Sequence, residues 1–135
     1  MAEFQNKTFQ CEAEKELPVR GDESALQRVV SILCDNAVKY TPEGGTIHLR
    51  AYADGRSAMI ETENPPEQSL TEEDCNRLFD RFYRADEARS RDKKSGYGIG
   101  LSIAQAVIDR HGGRATARMT SGNTLLIRLT VPLDK

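Results

Sequence analysis

The residues best suited to chemistry lie toward the C-terminus, where Ser95-Gly96-Tyr97-Gly98-Ile99-Gly100-Leu101-Ser102-Ile103-Ala104 alternates glycines and then enters an apolar helical pattern. Backbone that closely approaches a polyphosphate needs glycine, and the helix that follows turns its free N–H groups toward the anion. The segment therefore predicts a phosphate cradle, although Gly-x-Gly-x-Gly also occurs in flexible loops. A second element strengthens it: Asp35-Asn36-Ala37-Val38-Lys39-Tyr40-Thr41-Pro42, about sixty residues upstream on a different helical pattern. There Ile32, Asn36 and Lys39 follow at i, i+4 and i+7, a line beside the apolar stripe rather than opposite it. An amide and an ammonium at the rim of a core suit a hydrated cation and a phosphate. Taken singly, Asn36 reads equally as a helix residue bonded to a neighbouring loop, and Lys39 as part of a solvated face.

The elements that must position these residues alternate between β and α signals. Residues 7–12 predict a short strand, and Asp22 a helix N-cap. From there to Tyr40, Leu26, Val30, Leu33, Ala37 and Tyr40 fall on one helical stripe, and Thr41-Pro42-Glu43-Gly44-Gly45 ends the helix. Ile47, Leu49 and Ala51 alternate with His48, Arg50 and Tyr52, and Asp54-Gly55 separates that strand from one over 57–62, a hairpin signal. Asn64-Pro65-Pro66-Glu67-Gln68 predicts a loop, since proline cannot continue a central strand. Thr71-Glu72-Glu73-Asp74 resembles a capping box opening a helix through about residue 83. Residues 85–97 are charged and small, too poor in apolar anchors to be held rigidly, which predicts a mobile segment. A third helix is expected over about 99–111, with Ile99, Ile103, Ala106 and Val107 on one side and Gly112-Gly113 closing it. Strands over 114–119 and 124–131 follow. The order β-α-β-β-α-α-β-β, with no internal repeat, predicts an α/β two-layer sandwich: a mixed, mainly antiparallel sheet with three helices on one face.

Size and composition bound the function. With 135 residues, 38% hydrophobic and 30% charged, the chain predicts one soluble domain, residues 1–6 being a linker or appended remnant and 7–135 the domain. No apolar run reaches the length of a membrane span, and Met1-Ala2-Glu3-Phe4-Gln5-Asn6-Lys7 lacks the apolar core of a signal peptide. A net charge of -2 gives no general attraction for nucleic acid, although basic residues cluster over 81–94. Cys11, Cys34 and Cys75 have no metal-ligand spacing, and an odd number closes no disulfide framework, so reduced thiols in a cytoplasmic setting are expected.

Three motifs together carry a resemblance. Asn36-Ala37-Val38-Lys39-Tyr40-Thr41-Pro42, Phe79-Asp80-Arg81-Phe82-Tyr83-Arg84 and Gly96-Tyr97-Gly98-Ile99-Gly100-Leu101 resemble the N box, F box and second glycine box of the catalytic ATP-binding domain of bacterial sensor histidine kinases. That family lies within the superfamily of type II topoisomerases, mismatch-repair ATPases and heat-shock chaperones, which share the Bergerat-type ATP-binding fold. The similarity spans about residues 9–132, and the F box separates histidine kinases from the other members. The resemblance implies that Asn36 coordinates Mg²⁺, that Lys39 and Arg84 approach the triphosphate, and that Tyr40 packs on the nucleotide. The backbone at Gly96, Gly98, Ile99, Gly100 and Leu101 would line the phosphates, and residues 85–97 would form the ATP lid. Asn36, Lys39 and Arg84 are then the residues expected to serve phosphoryl transfer, whose demands are positioning and charge neutralisation.

The chain departs from the family pattern at three places. The first glycine box, Asp-x-Gly-x-Gly, is replaced by Glu63-Asn64-Pro65-Pro66-Glu67-Gln68, without glycine. Asn64 is the candidate for the aspartate that accepts from the adenine amino group, with Glu63 or Glu67 as fallbacks if the register slips. Weaker or less adenine-selective binding is expected, since the amide lacks the charge and the prolines stiffen the loop. Ile32 stands where many members carry a polar residue assisting the metal, and Asp35 projects about 100° from Asn36 and does not replace it. Finally, no phosphoacceptor histidine is in place: His48 falls in a strand, and His111 at a helix end is expected to cap the terminal carbonyls.

The resemblance thus implies a domain of a larger membrane-bound sensor, cytoplasmic and monomeric in isolation. Its partners would be a histidine-bearing dimerisation domain of the same parent and a downstream response regulator, with no direct contact with nucleic acid or membrane. A degenerate nucleotide-binding regulatory module is the alternative. An anti-sigma-factor serine kinase fits the F box and long basic lid less well, and a topoisomerase or chaperone ATPase would need further domains.

Overall fold

A computed structural model describes residues 8–13, 21–66, 69–80 and 100–133. Its elements are β1 (Thr8–Ala13), α1 (Glu23–Tyr40), β2 (Thr46–Asp54), β3 (Ser57–Asn64), α2 (Glu72–Asn76), α3 (Gly100–Arg110), β4 (Arg114–Met119) and β5 (Leu125–Pro132). The five strands form one sheet in the order β1-β2-β3-β5-β4. β1 pairs with β2 in parallel, and the remaining pairs are antiparallel. This is the mixed, mainly antiparallel sheet that the pattern predicted.

Local chemistry sets the element ends. Asp22 caps α1, its side chain accepting the Ala25 N–H at 3.2 Å. At the other end the Thr41 hydroxyl donates to the Ala37 carbonyl at 2.6 Å, and Pro42 follows. The β2–β3 hairpin turns through Gly55 at φ +66, with Asp54 paired to Ser57. Thr71 and Asp74 complete the capping box of α2 reciprocally, each bond at 3.0 Å. That helix is much shorter than the run to about residue 83 that the sequence suggested. After Asn76 the bonds tighten to i−3 spacing, as in Leu78 N–H to Cys75 O at 3.3 Å and Asp80 N–H to Arg77 O at 3.0 Å, which unwinds the α geometry. Residues 81–83 lie outside the described residues.

Strand alternation divides the sheet into two faces. Leu125, Ile127, Leu129 and Val131 of β5 and Ala115, Ala117 and Met119 of β4 meet Val29 and Leu33 of α1, Cys75 of α2 and Leu101, Ala104, Val107 and Ile108 of α3 in one core. Each fully buried Leu or Ile side chain there contributes about 1.5–3 kcal/mol, which makes the α1–α3–β5 contact the main anchor of the helical layer. The buried stripe of α1 runs through Val29, Leu33 and Ala37, so the side of the helix carrying Val30 is only half-buried. Both stripes share Leu33 and Ala37; packing on α3 selects the one with Val29. In α3 the buried face is Leu101, Ala104, Val107 and Ile108, whereas Ile103 is half-buried and Ala106 exposed, a rotation from the expected Ile103/Ala106/Val107 side. Ile99 lies outside the described residues.

α3 closes on Gly112, at φ +79, with Gly113 N–H bonded to Ile108 O at 2.9 Å and Gly112 N–H to Asp109 O at 3.0 Å, the Schellman pattern. A Cβ on Gly113 would collide with the Thr130 carbonyl of β5, so this glycine lets the chain drop from helix to sheet.

Candidate functional site

The last two turns of α1 sit between the start of α3 and the end of β3. On one side, Ile32 Cγ2 lies 3.4 Å from where a Gly100 Cβ would be, so the first residue of α3 rests on α1 one turn before Asn36. On the other, a Cβ on Gly45 would meet both Thr41 Cγ2 at 2.6 Å and Pro65 Cγ at 3.3 Å, which fixes the segment after α1 against the residue following Asn64. Asn36, Lys39 and Tyr40 are half-buried on this stretch of helix, with Lys39 Nζ 5.8 Å from the centroid of the Tyr40 ring. Gly100 and Leu101 form the first turn of α3, Leu101 being buried beneath it. The two contacts set the start of α3 against α1 one turn before Asn36, and Pro65, the residue after Asn64, against the segment that follows α1. Arg84, Gly96, Gly98 and Ile99, the expected lid over 85–97 and the F-box residues 81–84 lie outside the described residues, as does Glu67.

Asn64 departs from its expected setting. It belongs to β3 rather than to a loop, because its backbone still pairs with Leu125 and the prolines begin only at the next residue. Its side chain is buried, and its Nδ2 donates to the Pro65 carbonyl at 3.4 Å, too long for a strong bond. Glu63 does not serve as the fallback, since alternation turns it to the opposite face. There Arg50 Nη2 donates to its carboxylate at 2.8 Å and the Thr124 hydroxyl at 2.6 Å.

That opposite face carries a polar network centred on Glu61, which is buried beneath it. Glu61 accepts from Tyr52 at 2.6 Å, Arg128 at 2.7 Å and Arg50 at 3.1 Å. Burial pushes the Glu61 carboxyl up, but these hydrogen bonds outweigh it and hold it below the usual carboxylate range. The hydroxyl of Thr124 and then the guanidinium of Arg50 hold Glu63 low as well. The network pins β3 from behind and so fixes the strand whose end bears Asn64.

Thr62, on the same strand as Asn64, is a residue that sequence reasoning did not single out. Its hydroxyl is buried without a hydrogen-bond partner, the one such side-chain atom among the described residues. As a β-branched residue within a strand it carried no signal of its own.

Burial pushes the Cys34 and Cys75 thiols up, away from activation, helped at Cys34 by Asp35. All three cysteines are free, as expected. Among the described residues no group of three His, Cys, Asp or Glu could hold a metal ion, and no helix is long and apolar enough to cross a membrane.

The sheet thus carries its helices on one face, with a glycine-led helix set against an asparagine-bearing one. The chain belongs to the family described as "Histidine kinase-, DNA gyrase B-, and HSP90-like ATPase", which matches residues 21–135. It is 36% identical over 119 residues to the sensor protein CiaH of Streptococcus pneumoniae, covering 87% of this chain and 26% of that protein. It is 38% identical over 114 residues to the sensor histidine kinase CusS of Escherichia coli K12, covering 84% of this chain and 23% of that one. The fold superposes on the mycobacterial sensor histidine kinase MprB with a TM-score of 0.80 and 28% identity, covering 95% of this chain and 84% of that one. The chain spans about a quarter of the length of the curated relatives it matches. Such relatives do not favour the degenerate-module alternative.

Proposed function

We propose that this chain binds Mg-ATP and positions the γ-phosphoryl group for transfer to a histidine on a separate dimerisation domain of the same parent, which then passes it to a response regulator. The observation that supports this most is the approach of Gly100 to Ile32, which sets the start of α3 against α1 one turn before Asn36. The helix terminus offers N–H donors and positive potential to phosphate oxygens. Lys39 adds a cation from the last turn of α1, and Arg84 a second. Tyr40 packs on the nucleotide, and Asn64 accepts from the amino group of the base. Gly96, Gly98 and Ile99 would continue the phosphate-lining backbone that Gly100 and Leu101 begin.

The donor set fits Mg²⁺. This ion binds through one or two protein oxygens, substrate phosphates and several waters, and a single half-buried Asn36 beside an apolar Ile32 supplies one oxygen. When bound, the ion neutralises charge on the phosphate oxygens; the residues of the chain orient the triphosphate and exclude water around it.

The parent is read as a membrane-bound sensor with this domain on its cytoplasmic side, monomeric when isolated and without contact with nucleic acid or lipid. Calorimetric titration with a non-hydrolysable ATP analogue, with and without Mg²⁺ and with GTP as control, tests the reading. Mg²⁺-dependent micromolar binding is expected, and no binding at millimolar nucleotide overturns it. Phosphorylation of a supplied dimerisation domain tests the kinase step.

A further inference from the structure

Thr62 occupies a setting with no internal use for a hydroxyl. Its neighbours across the sheet are Leu49 on β2 and Ile127 on β5, both apolar. It is 1% exposed, and its Oγ1 has no partner. Valine would fill the same volume without burying an unmatched polar group, and a buried group left unmatched is costly enough that natural structures hold few of them. The hydroxyl therefore answers to something beyond the protein's own described atoms.

The register indicates what that is. Thr62 and Asn64 are two residues apart on β3 and share the helix-side face, together with Ile60, which packs against the core. Same-face neighbours along a strand stand roughly 7 Å apart, close enough for one planar base edge to reach both side chains. Asn64 brings a buried amide whose only side-chain hydrogen bond among the described residues is the long one to Pro65, so its oxygen is available to a ligand. A hydroxyl and an amide oxygen on one face match adjacent groups of a purine, a ring nitrogen that accepts and an exocyclic amine that donates.

We propose that Thr62 is a base-specificity residue of the nucleotide site: its O–H donates to N1 of adenine while Asn64 Oδ1 accepts from the 6-amino group. The inference rests on the Mg-ATP reading above and adds the group that reads the ring itself. It also explains how the site recognises a base although the usual carboxylate is an amide here: the neutral Asn64 oxygen holds the amino group less strongly than a carboxylate would, and Thr62 adds a second hydrogen bond one pleat deeper in the sheet.

Titration of the chain with ADP and with 1-deaza-ADP, in which N1 is replaced by C–H, tests it. The unaltered chain should prefer ADP by about five- to tenfold, the effect of one hydrogen bond. Thr62→Val should abolish that preference by weakening ADP alone, and Thr62→Ser, which keeps the hydroxyl, should restore it. Thr62→Val should also raise the melting temperature of the nucleotide-free protein, because the unmatched group is gone and the core volume is kept. Equal ADP affinity for Thr62→Val and the unaltered chain overturns the proposal and leaves the hydroxyl to a structural water. Equal weakening of ADP and 1-deaza-ADP overturns it too, since the loss then lies outside the ring edge. Failure of the unaltered chain to bind either nucleotide overturns the Mg-ATP reading together with this one.

Discussion

Nε2 of His111 accepts the backbone N–H of Asp22 at 3.1 Å, tying the end of α3 to the start of α1. The other ring nitrogen, Nδ1, is 2.8 Å from the Val107 carbonyl, which also accepts the His111 backbone N–H at 3.2 Å, so the ring with its proton on Nδ1 links the last turn of α3 to the N-cap residue of α1. The expected cap is thus a joint between two helices. Gly21 lies so close to this ring that a Cβ there would overlap it. His111→Ala should cost about 1 kcal/mol, the worth of the hydrogen bonds that join the two helices, since the Val107 carbonyl keeps the backbone N–H of residue 111 and the exposed Asp22 N–H turns to water. Urea denaturation measures it, and a midpoint equal to that of the unaltered chain would show that the joint is idle.

The Asn36 side chain is half-buried on the rim of the core, so its removal should spare the fold. Asn36→Ala should keep the melting temperature within about 2 °C, as surface substitutions do, while abolishing the increase in ATP affinity that Mg²⁺ confers. Titration with and without the ion separates the two effects. A variant that still responds to Mg²⁺ would remove Asn36 from the metal site.

Acid should act through the sheet face that carries Glu61 and Glu63. Both carboxyls are held below their ordinary range in the folded state, so the folded chain binds fewer protons there than the unfolded one. Their contribution to stability is then fully present above the ordinary carboxylate pKa of about 4.3, and is lost as pH falls through that value and on through the folded one. Denaturation midpoints should be flat from neutrality to about pH 5 and decline below it. Glu61→Gln should lower stability at neutral pH by about 1–3 kcal/mol and flatten the acid decline, because it keeps an acceptor for Tyr52 but loses the charge facing Arg50 and Arg128. An unchanged acid decline in that variant would place the proton uptake elsewhere.

Asp74 accepts the Thr71 N–H and its own N–H bonds the Thr71 hydroxyl, and the residue is buried. In a helix of five residues the cap is a large share of what holds it. Asp74→Ala should cost about 1 kcal/mol, visible as faster amide exchange at Cys75 and Arg77.

The sequence yielded the element order, the hairpin at Asp54-Gly55 and the caps at Asp22, Thr71 and Gly112 because each is a local decision, written within four residues of itself. It misplaced what depends on contacts between distant segments. The choice of Val29 over Val30 for the buried stripe was made by α3, which no periodicity within α1 encodes. The persistence of β3 through Asn64 was set by its partner Leu125, against a proline signal that correctly marks only the residues after it. Among the candidate residues, Asn36, Gly100 and Leu101 were legible from glycine spacing and helical phase. Thr62 was not, because a threonine in a strand is unremarkable until both flanking strands prove apolar.

The parallel pairing of β1 with β2 has a kinetic side. The hairpins β2–β3 and β4–β5 close over short loops, whereas β1 reaches β2 only across the whole of α1, and it lies at the sheet edge with mostly exposed residues. Pairings that close long loops recover their entropy late. β1 is therefore expected to be the last strand to join during folding and the first to leave, so that its amides exchange faster than those of β3. The domain can then gain or shed its first strand while the core under α1 and α3 stays assembled.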